Sequence, residues 1–216
     1  MFAVGHMSLA YLIGKLSSKL LGVTPNIPVL MVLSILPDID IAIDTFAGLD
    51  IHRGPTHSLI VALIIFTPIF VFYGKRVVPY FLAYVSHFLI GDFLIGGQLQ
   101  LLWPLLKNNF GFFEAGFLYI DIYDGINIAI ELSLLLVAIA VMIKTCDYQV
   151  FFKKCKTNFV LIIPIVTVLL PTFLGYPFDV PLFAISPLIG VAHLFFLVLF
   201  GFSILNVTYA IIKKRF

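Results

Sequence analysis

From Leu188 to Ile212 the chain runs for twenty-five residues without an aspartate, glutamate, lysine or arginine. A helix of that length rises ~37 Å, more than the ~30 Å hydrocarbon core of a bilayer, so this stretch crosses a membrane with tilt. Ile126 to Ile143 is a second full-length span. Phe159 to Leu174 is a shorter one, which Pro164 and Pro171 are expected to kink. Ser58 to Tyr73 and Val77 to about Gly97 read as two more. Phe2 to about Leu20 and Ile27 to Leu36 have helical patterns but are short or interrupted, which suits re-entrant or tilted helices. The whole chain is 62% hydrophobic and 11% charged, where a soluble domain is ~25% charged. The fold class is therefore all-α, a multi-pass transmembrane helical bundle. A soluble domain is excluded, and no basic patch interleaved with aromatics points to nucleic acid.

Positive charge orients such a chain. Lys75 and Arg76 separate two spans, Lys144, Lys153, Lys154 and Lys156 separate the next pair, and Lys213, Lys214 and Arg215 follow the last. Placing all three groups in the cytoplasm gives a consistent alternation, and Lys15 and Lys19 fit it if the first helix runs inward. The C-terminus is then cytoplasmic, and Trp103 to Gly125 and Gly175 to Pro187 face outward. The N-terminus lacks the basic region and small-residue cleavage site of a signal peptide, so His6 is expected in the mature protein. Cys146 and Cys155 flank a lysine-bearing loop, lack the spacing of a zinc knuckle, and read as free thiols. Residues 1–106 form a site-bearing helical membrane domain, 107–125 an outward loop, and 126–216 a three-helix membrane segment.

The polar residues are concentrated in the first half. Asp50-Ile-His-Arg-Gly-Pro-Thr-His-Ser58 places two histidines and an arginine within six residues. Upstream stands Leu36-Pro37-Asp38-Ile39-Asp40, and downstream His87 is followed by Asp92. The orientation above brings His6, Asp38, Asp40, His52, His57, His87 and Asp92 to one level near the outer face. Ionisable groups in a water-poor setting cost several kcal/mol unless paired and mark a functional site. Imidazole with carboxylate is ligand chemistry for zinc, manganese or iron.

Within that set the roles differ. Asp38 and Asp40 are two residues apart and do not share a helical face. In a turn, one ligates while the other orients a histidine from behind. Thr56 or His57 caps the helix that starts at Ser58, and that helix N-terminus with Arg53 makes an anion site. Asp92 is five residues after His87, ~140° round an ideal helix. Either a π turn, which Gly91 permits, brings the two together, or only one is a ligand. Gly96 and Gly97 allow close backbone approach, with Gln98 and Gln100 near the outer surface. His193, in the last span without an acidic neighbour, reads as structural. Asp121 and Asp124 read as caps for the helix starting near Ile126, Asp44 and Asp50 as parts of a solvated loop, and Tyr80, Tyr84 and Trp103 as an interfacial aromatic belt.

At these residues the sequence resembles the YdjM-like family of membrane-bound, metal-dependent hydrolases. The matching pieces are His6, Leu36-Pro37-Asp38-Ile39-Asp40, His52-Arg53-Gly54-Pro55-Thr56-His57-Ser58, Ser86-His87 leading to Asp92, and Leu101-Leu102-Trp103-Pro104-Leu105. They cover about residues 1 to 106. More distantly the likeness extends to zinc-dependent phospholipase C and related zinc nucleases. The resemblance implies a helical fold holding one to three divalent ions, most simply Zn2+. His6, Asp38, His57, His87 and Asp92 are then the ligand candidates, with His52 and Arg53 as ligands or facing the substrate. One departure stands out: the resemblance implies a spacing of four between the last histidine and aspartate, and here it is five.

The expected chemistry is metal-dependent hydrolysis, with zinc-activated hydroxide attacking a phosphoester, in one version a membrane phospholipid. Arg53 stabilises charge on the phosphoryl oxygens, and His52 or Asp40 moves a proton. Two other functions use the same cluster: a metal or proton transporter, and a non-catalytic scaffold in which metal staples short helices.

Overall fold

Small residues make the first helix the centre of the molecule. In the computed structural model, α1 spans Ala3–Leu21 and ends at Gly22, whose φ of 64° lets the chain leave in the left-handed region. Ala3, Ala10, Gly14, Ser17 and Ser18 are among its buried residues, so neighbouring helices approach its backbone closely. At Gly14 a Cβ would sit 2.7 Å from Leu30 Cδ1, which is why α2 (Ile27–Leu33) can lie against it. α2 starts at Asn26, whose Oδ1 accepts from Val29 N–H, with Pro28 in the first turn. A tight turn over Leu36–Asp38 leads into α3 (Ile39–Ala47). The structure describes residues 1–48, 52–95, 97–111, 120–176 and 179–213, with the backbone alone at 42 and 44–46. Asp50, Gly96, Lys214, Arg215 and the side chain of Asp44, all assigned parts above, lie outside the described residues.

α4 (Leu59–Tyr73) and α5 (Val78–Ser86, continued by a π turn over His87–Asp92) form a hairpin. Gly74, at φ 57° and ψ −143°, reverses the chain, and the Phe66 and Phe81 rings meet at 5.4 Å across it. Sequence reading took these limbs as two separate spans. Each has fifteen residues to the ends given, ~22 Å of rise, and is thus shorter than the hydrocarbon core.

The second half holds α6 (Gly125–Lys144), the short α7 (Gln149–Phe152), an irregular helix over Lys156–Leu174, α10 (Leu182–Ile185) and α11 (Pro187–Lys213). The irregular helix contains α8 (Ile162–Pro164), a π turn over Ile165–Leu169 and α9 (Leu170–Leu174). Pro171 brings no N–H, and the turn before it widens instead of closing. Four helical stretches among the described residues are long and apolar enough to cross a membrane: Leu59–Asp92, folded at Gly74, then Gly125–Lys144, Lys156–Leu174 and Pro187–Lys213. Their outward faces are apolar: Ile64, Phe72, Leu136, Val198 and Leu205 are exposed, as lipid-facing side chains would be. One core joins the two halves, with Met7, Tyr11, Leu30, Leu135, Phe151, Leu161 and Phe200 in a single cluster.

Candidate metal centre

Five side chains from four segments meet at one end of the bundle. α1 brings His6, the turn before α3 brings Asp38, the loop before α4 brings His57, and the π turn brings both His87 and Asp92. The π turn resolves the five-residue spacing: a widened turn puts residues five apart on one face, and His87 Nε2 lies 3.2 Å from Asp92 Oδ2. Gly97 lies so close to the Asp92 carbonyl that no Cβ would fit. The loop before α4 is held from three sides. Ser58 hydroxyl donates to the Trp103 carbonyl at 2.6 Å, Tyr84 hydroxyl donates to the Thr56 carbonyl at 2.7 Å, and Gln100 N–H donates to the Arg53 carbonyl at 3.0 Å.

The imidazoles pack against one another. His6 and His87 stack with ring centroids 3.9 Å apart, and those of His57 and His87 lie 5.1 Å apart. His57 Nε2 is 3.2 Å from Asp92 Oδ2 and 3.8 Å from Asp38 Oδ1; His87 Nε2 is 3.2 Å from Asp38 Oδ1; His6 Nε2 is 3.6 Å from Asp92 Oδ1. All three histidines and Asp92 are buried.

In His57 and His87 the other ring nitrogen is committed, while His6 Nδ1 is buried without a hydrogen-bond partner. His87 Nδ1–H donates to the Ser34 carbonyl at 2.6 Å. His57 Nδ1 lies 2.9 Å from the Thr56 hydroxyl and 3.3 Å from Asp40 Oδ2, while that hydroxyl itself donates to Asp40. When neutral, with the proton on Nδ1 as these partners favour, His57 and His87 each present an Nε2 lone pair to carboxylate oxygens that also carry only lone pairs. His57 Nε2, His87 Nε2 and Asp92 Oδ2 are buried without hydrogen-bond partners. Lone pairs converging on one another are a costly arrangement that a cation relieves. The donor set of imidazole nitrogen and carboxylate oxygen fits a divalent metal such as zinc. Ligand atoms of His6, His87 and Asp92, of Asp38, His57 and His87, and of Asp40, His52 and His57 form three groups, each within 4.8 Å.

Asp40 stands behind this set. It is fully buried and accepts from His52 Nδ1 at 2.8 Å, from the Arg53 N–H at 3.3 Å and from Thr56. Burial pushes its carboxyl up, but the bonds from His52, His57 and Thr56 outweigh that and hold it well below the ordinary carboxylate range. Asp40 therefore orients His57 while Asp38 faces the cluster, the division of labour open to this pair in the sequence. The cluster opens on a cavity of about 310 Å³ lined on its polar side by His6, Asp38, His52, Arg53 and Asp92, and on its apolar side by Ile41, Ile95, Ile122 and Val168. Arg53 has a φ of 61°, a left-handed conformation that only local ties can hold in a side-chain-bearing residue.

Several sequence expectations differ from the structure. Ser58, not Thr56 or His57, caps α4: its Oγ accepts from Ile60 and Val61 N–H, while Leu59 N–H donates to the Leu101 carbonyl. The first amides of α4 are thus spent, which removes the anion site expected at that terminus. Tyr80 and Tyr84 act as internal struts, Tyr80 hydroxyl accepting from Asn26 N–H at 2.7 Å. Asp124 precedes α6 without a side-chain cap; its carboxylate accepts from Asp121 N–H instead. His193 is a buried core histidine that donates from Nε2 to the Leu169 carbonyl at 3.1 Å, with Nδ1 left unpartnered. Cys146 and Cys155 are free and exposed.

Sequence reading passed over Glu131. Its carboxylate, buried in α6, accepts from the Phe2 and Gly5 N–H groups at 2.5 and 3.1 Å. An acid in mid-span was the available signal.

The fold and the cluster define a class: a helical membrane protein with a buried histidine–aspartate group able to hold a metal ion. The chain belongs to the YdjM inner membrane protein family, whose family model matches residues 1–170. No curated protein and no solved structure matches it.

Proposed function

We propose that this protein is a membrane-bound, metal-dependent hydrolase of phosphoesters, with membrane lipids among its substrates. The observation that carries the reading is the set of buried Nε2 and carboxylate atoms, turned toward one another without hydrogen-bond partners, beside a cavity that Arg53 lines. His6, Asp38, His57, His87 and Asp92 hold the metal. A divalent cation, zinc by donor preference, supplies Lewis acidity and lowers the pKa of a water molecule.

The chain's own residues do the rest. Arg53 offers a planar fork that matches phosphoryl oxygens. His52, about one-third exposed at the cavity and tied to Asp40 through Nδ1, holds or releases a proton at Nε2. The apolar wall excludes bulk water and accepts the hydrocarbon part of an amphiphile. Lys19 stands in the last turn of α1, Lys75 and Arg76 at the α4–α5 reversal and Lys144 in the last turn of α6, each away from the end that bears the cluster. By the positive-inside rule, the site then faces outward at headgroup depth and the chain after α11 is cytoplasmic. In this reading residues 1–106 carry the site and 126–216 support it.

The test is zinc-dependent hydrolysis of bis-p-nitrophenyl phosphate by purified protein in detergent. Wild type turns over, chelator stops it, and His57→Ala inserts normally but loses metal and turnover by roughly a hundredfold. Zinc and turnover retained in His57→Ala contradict the reading. Proton or metal flux into liposomes without hydrolysis favours a transporter. Loss of melting temperature on metal removal, with neither hydrolysis nor flux, favours a metal-stapled scaffold.

A further inference from the structure

Glu131 is the only acidic residue of α6, and it is completely buried in the apolar length of that helix. A carboxylate there is tolerated only with strong partners. Beside the Asn127 side chain one turn earlier, its partners are backbone amides at the start of another helix: Oε1 accepts from Phe2 N–H at 2.5 Å and Oε2 from Gly5 N–H at 3.1 Å. Phe2 is the residue that precedes α1, and its side chain makes no cap. Glu131 therefore supplies from α6 what a serine or aspartate normally supplies locally: an acceptor for the orphan Phe2 amide, and a second acceptor for the Gly5 amide, which also donates to the Phe2 carbonyl at 3.0 Å.

The fit is mutual. A Cβ on Gly5 would lie 2.8 Å from Glu131 Cγ, so the glutamate stem rests on a residue with no side chain. The next residue in the chain is His6, stacked on His87 at 3.9 Å. Turning α1 by one residue swings His6 through about 100°, and sliding it by one residue moves it ~1.5 Å. Either breaks the stack. Glu131 is not among the residues lining the cavity, so its effect on the cluster runs through α1.

We propose that Glu131 is a positioning residue for the metal centre: by clamping the Phe2 and Gly5 amides it fixes the rotation and depth of α1, and with them the place of His6. This rests on the metal-centre reading above.

The experiment compares wild type, Glu131→Ala, Glu131→Gln and Met142→Ala, the last opening a gap about three turns further along the same helix. Hydrogen exchange over residues 2–8 is measured on metal-free protein, and zinc affinity by competition titration. Glu131→Ala is expected to speed exchange there roughly tenfold and weaken zinc binding by roughly tenfold or more, with Glu131→Gln in between and Met142→Ala close to wild type in both. Unchanged exchange in Glu131→Ala overturns the clamp. Faster exchange with unchanged zinc affinity overturns the positioning role. An equal loss of affinity in Met142→Ala also overturns it, because any disturbance of α6 would then suffice. A wild type that binds no zinc, with exchange still faster in Glu131→Ala, shows that the metal-centre reading has failed and that the clamp is structural only.

Discussion

Gly91 sits where a methyl group has no room. A Cβ there would press on the His6 ring, reaching Nδ1 at 2.7 Å and Cε1 closer still. Gly91→Ala is predicted to push His6 off its stack and weaken zinc binding by roughly tenfold or more. His6→Ala should do the same, and the double variant should be no worse than either single one, as two changes to one contact require. Titration of all three settles it; fully additive losses would mean that Gly91 and His6 act separately. Arg53 invites a different comparison, because its φ of 61° penalises any side chain. Both Arg53→Ala and Arg53→Gly remove the guanidinium and are predicted to lower turnover at least about tenfold, but only glycine relieves the backbone. Arg53→Gly should therefore be more stable than Arg53→Ala by about 1 kcal/mol, read from thermal melts. Equal melting temperatures would show that the loop is not strained.

At the scale of the element, the π turn over His87–Asp92 is what gathers two candidate ligands from one helix. Deleting Ile90, a partly exposed residue in that turn, converts the spacing to four, which an ordinary α-helix also places on one face. The deletion is predicted to keep zinc affinity within about tenfold of wild type, and titration that finds no binding would show that the widened turn itself is needed. This element was legible in the sequence because His87, Gly91 and Asp92 state both the mismatch and the means of accommodating it. The meeting of His6, Asp38 and His57 was legible too, through lysines that order the helices. The α4–α5 hairpin was less so: Gly74 beside Lys75 and Arg76 reads equally as a loop between full spans. The cap of α4 was missed because Thr56, His57 and Ser58 all have polar side chains, and only the fold reveals that Thr56 is taken by Asp40. Glu131 escaped because its partners on α1 are backbone amides, which leave no trace in residue identity.

Across the whole molecule, the end of α1 opposite the cluster is fixed by a second polar group. Lys15 Nζ lies 2.6 Å from Asp147 Oδ2, and the Tyr11 hydroxyl donates to the same oxygen at 2.8 Å. α1 is thus pinned at both ends, by Glu131 and by Asp147. Burial pushes the Asp147 carboxyl up, but bonds from Lys15, Thr145 and Tyr11 outweigh it and hold the carboxyl below its ordinary value. A carboxyl lowered by folding stabilises the native state above the ordinary carboxylate pKa of about 4 and loses that contribution as pH falls below it. Asp147→Asn is accordingly predicted to flatten the fall in melting temperature below about pH 4 while leaving zinc affinity at neutral pH unchanged. An unaltered acid profile would remove Asp147 from the account. The central claim is that distant segments of the chain meet around a shared cation, and metal content tests it most directly. Purified protein dialysed against zinc at neutral pH should retain at least one ion per chain by elemental analysis, and His87→Ala, folded by circular dichroism, should retain almost none. A wild type that keeps no metal, or a His87→Ala variant that keeps as much, would contradict it.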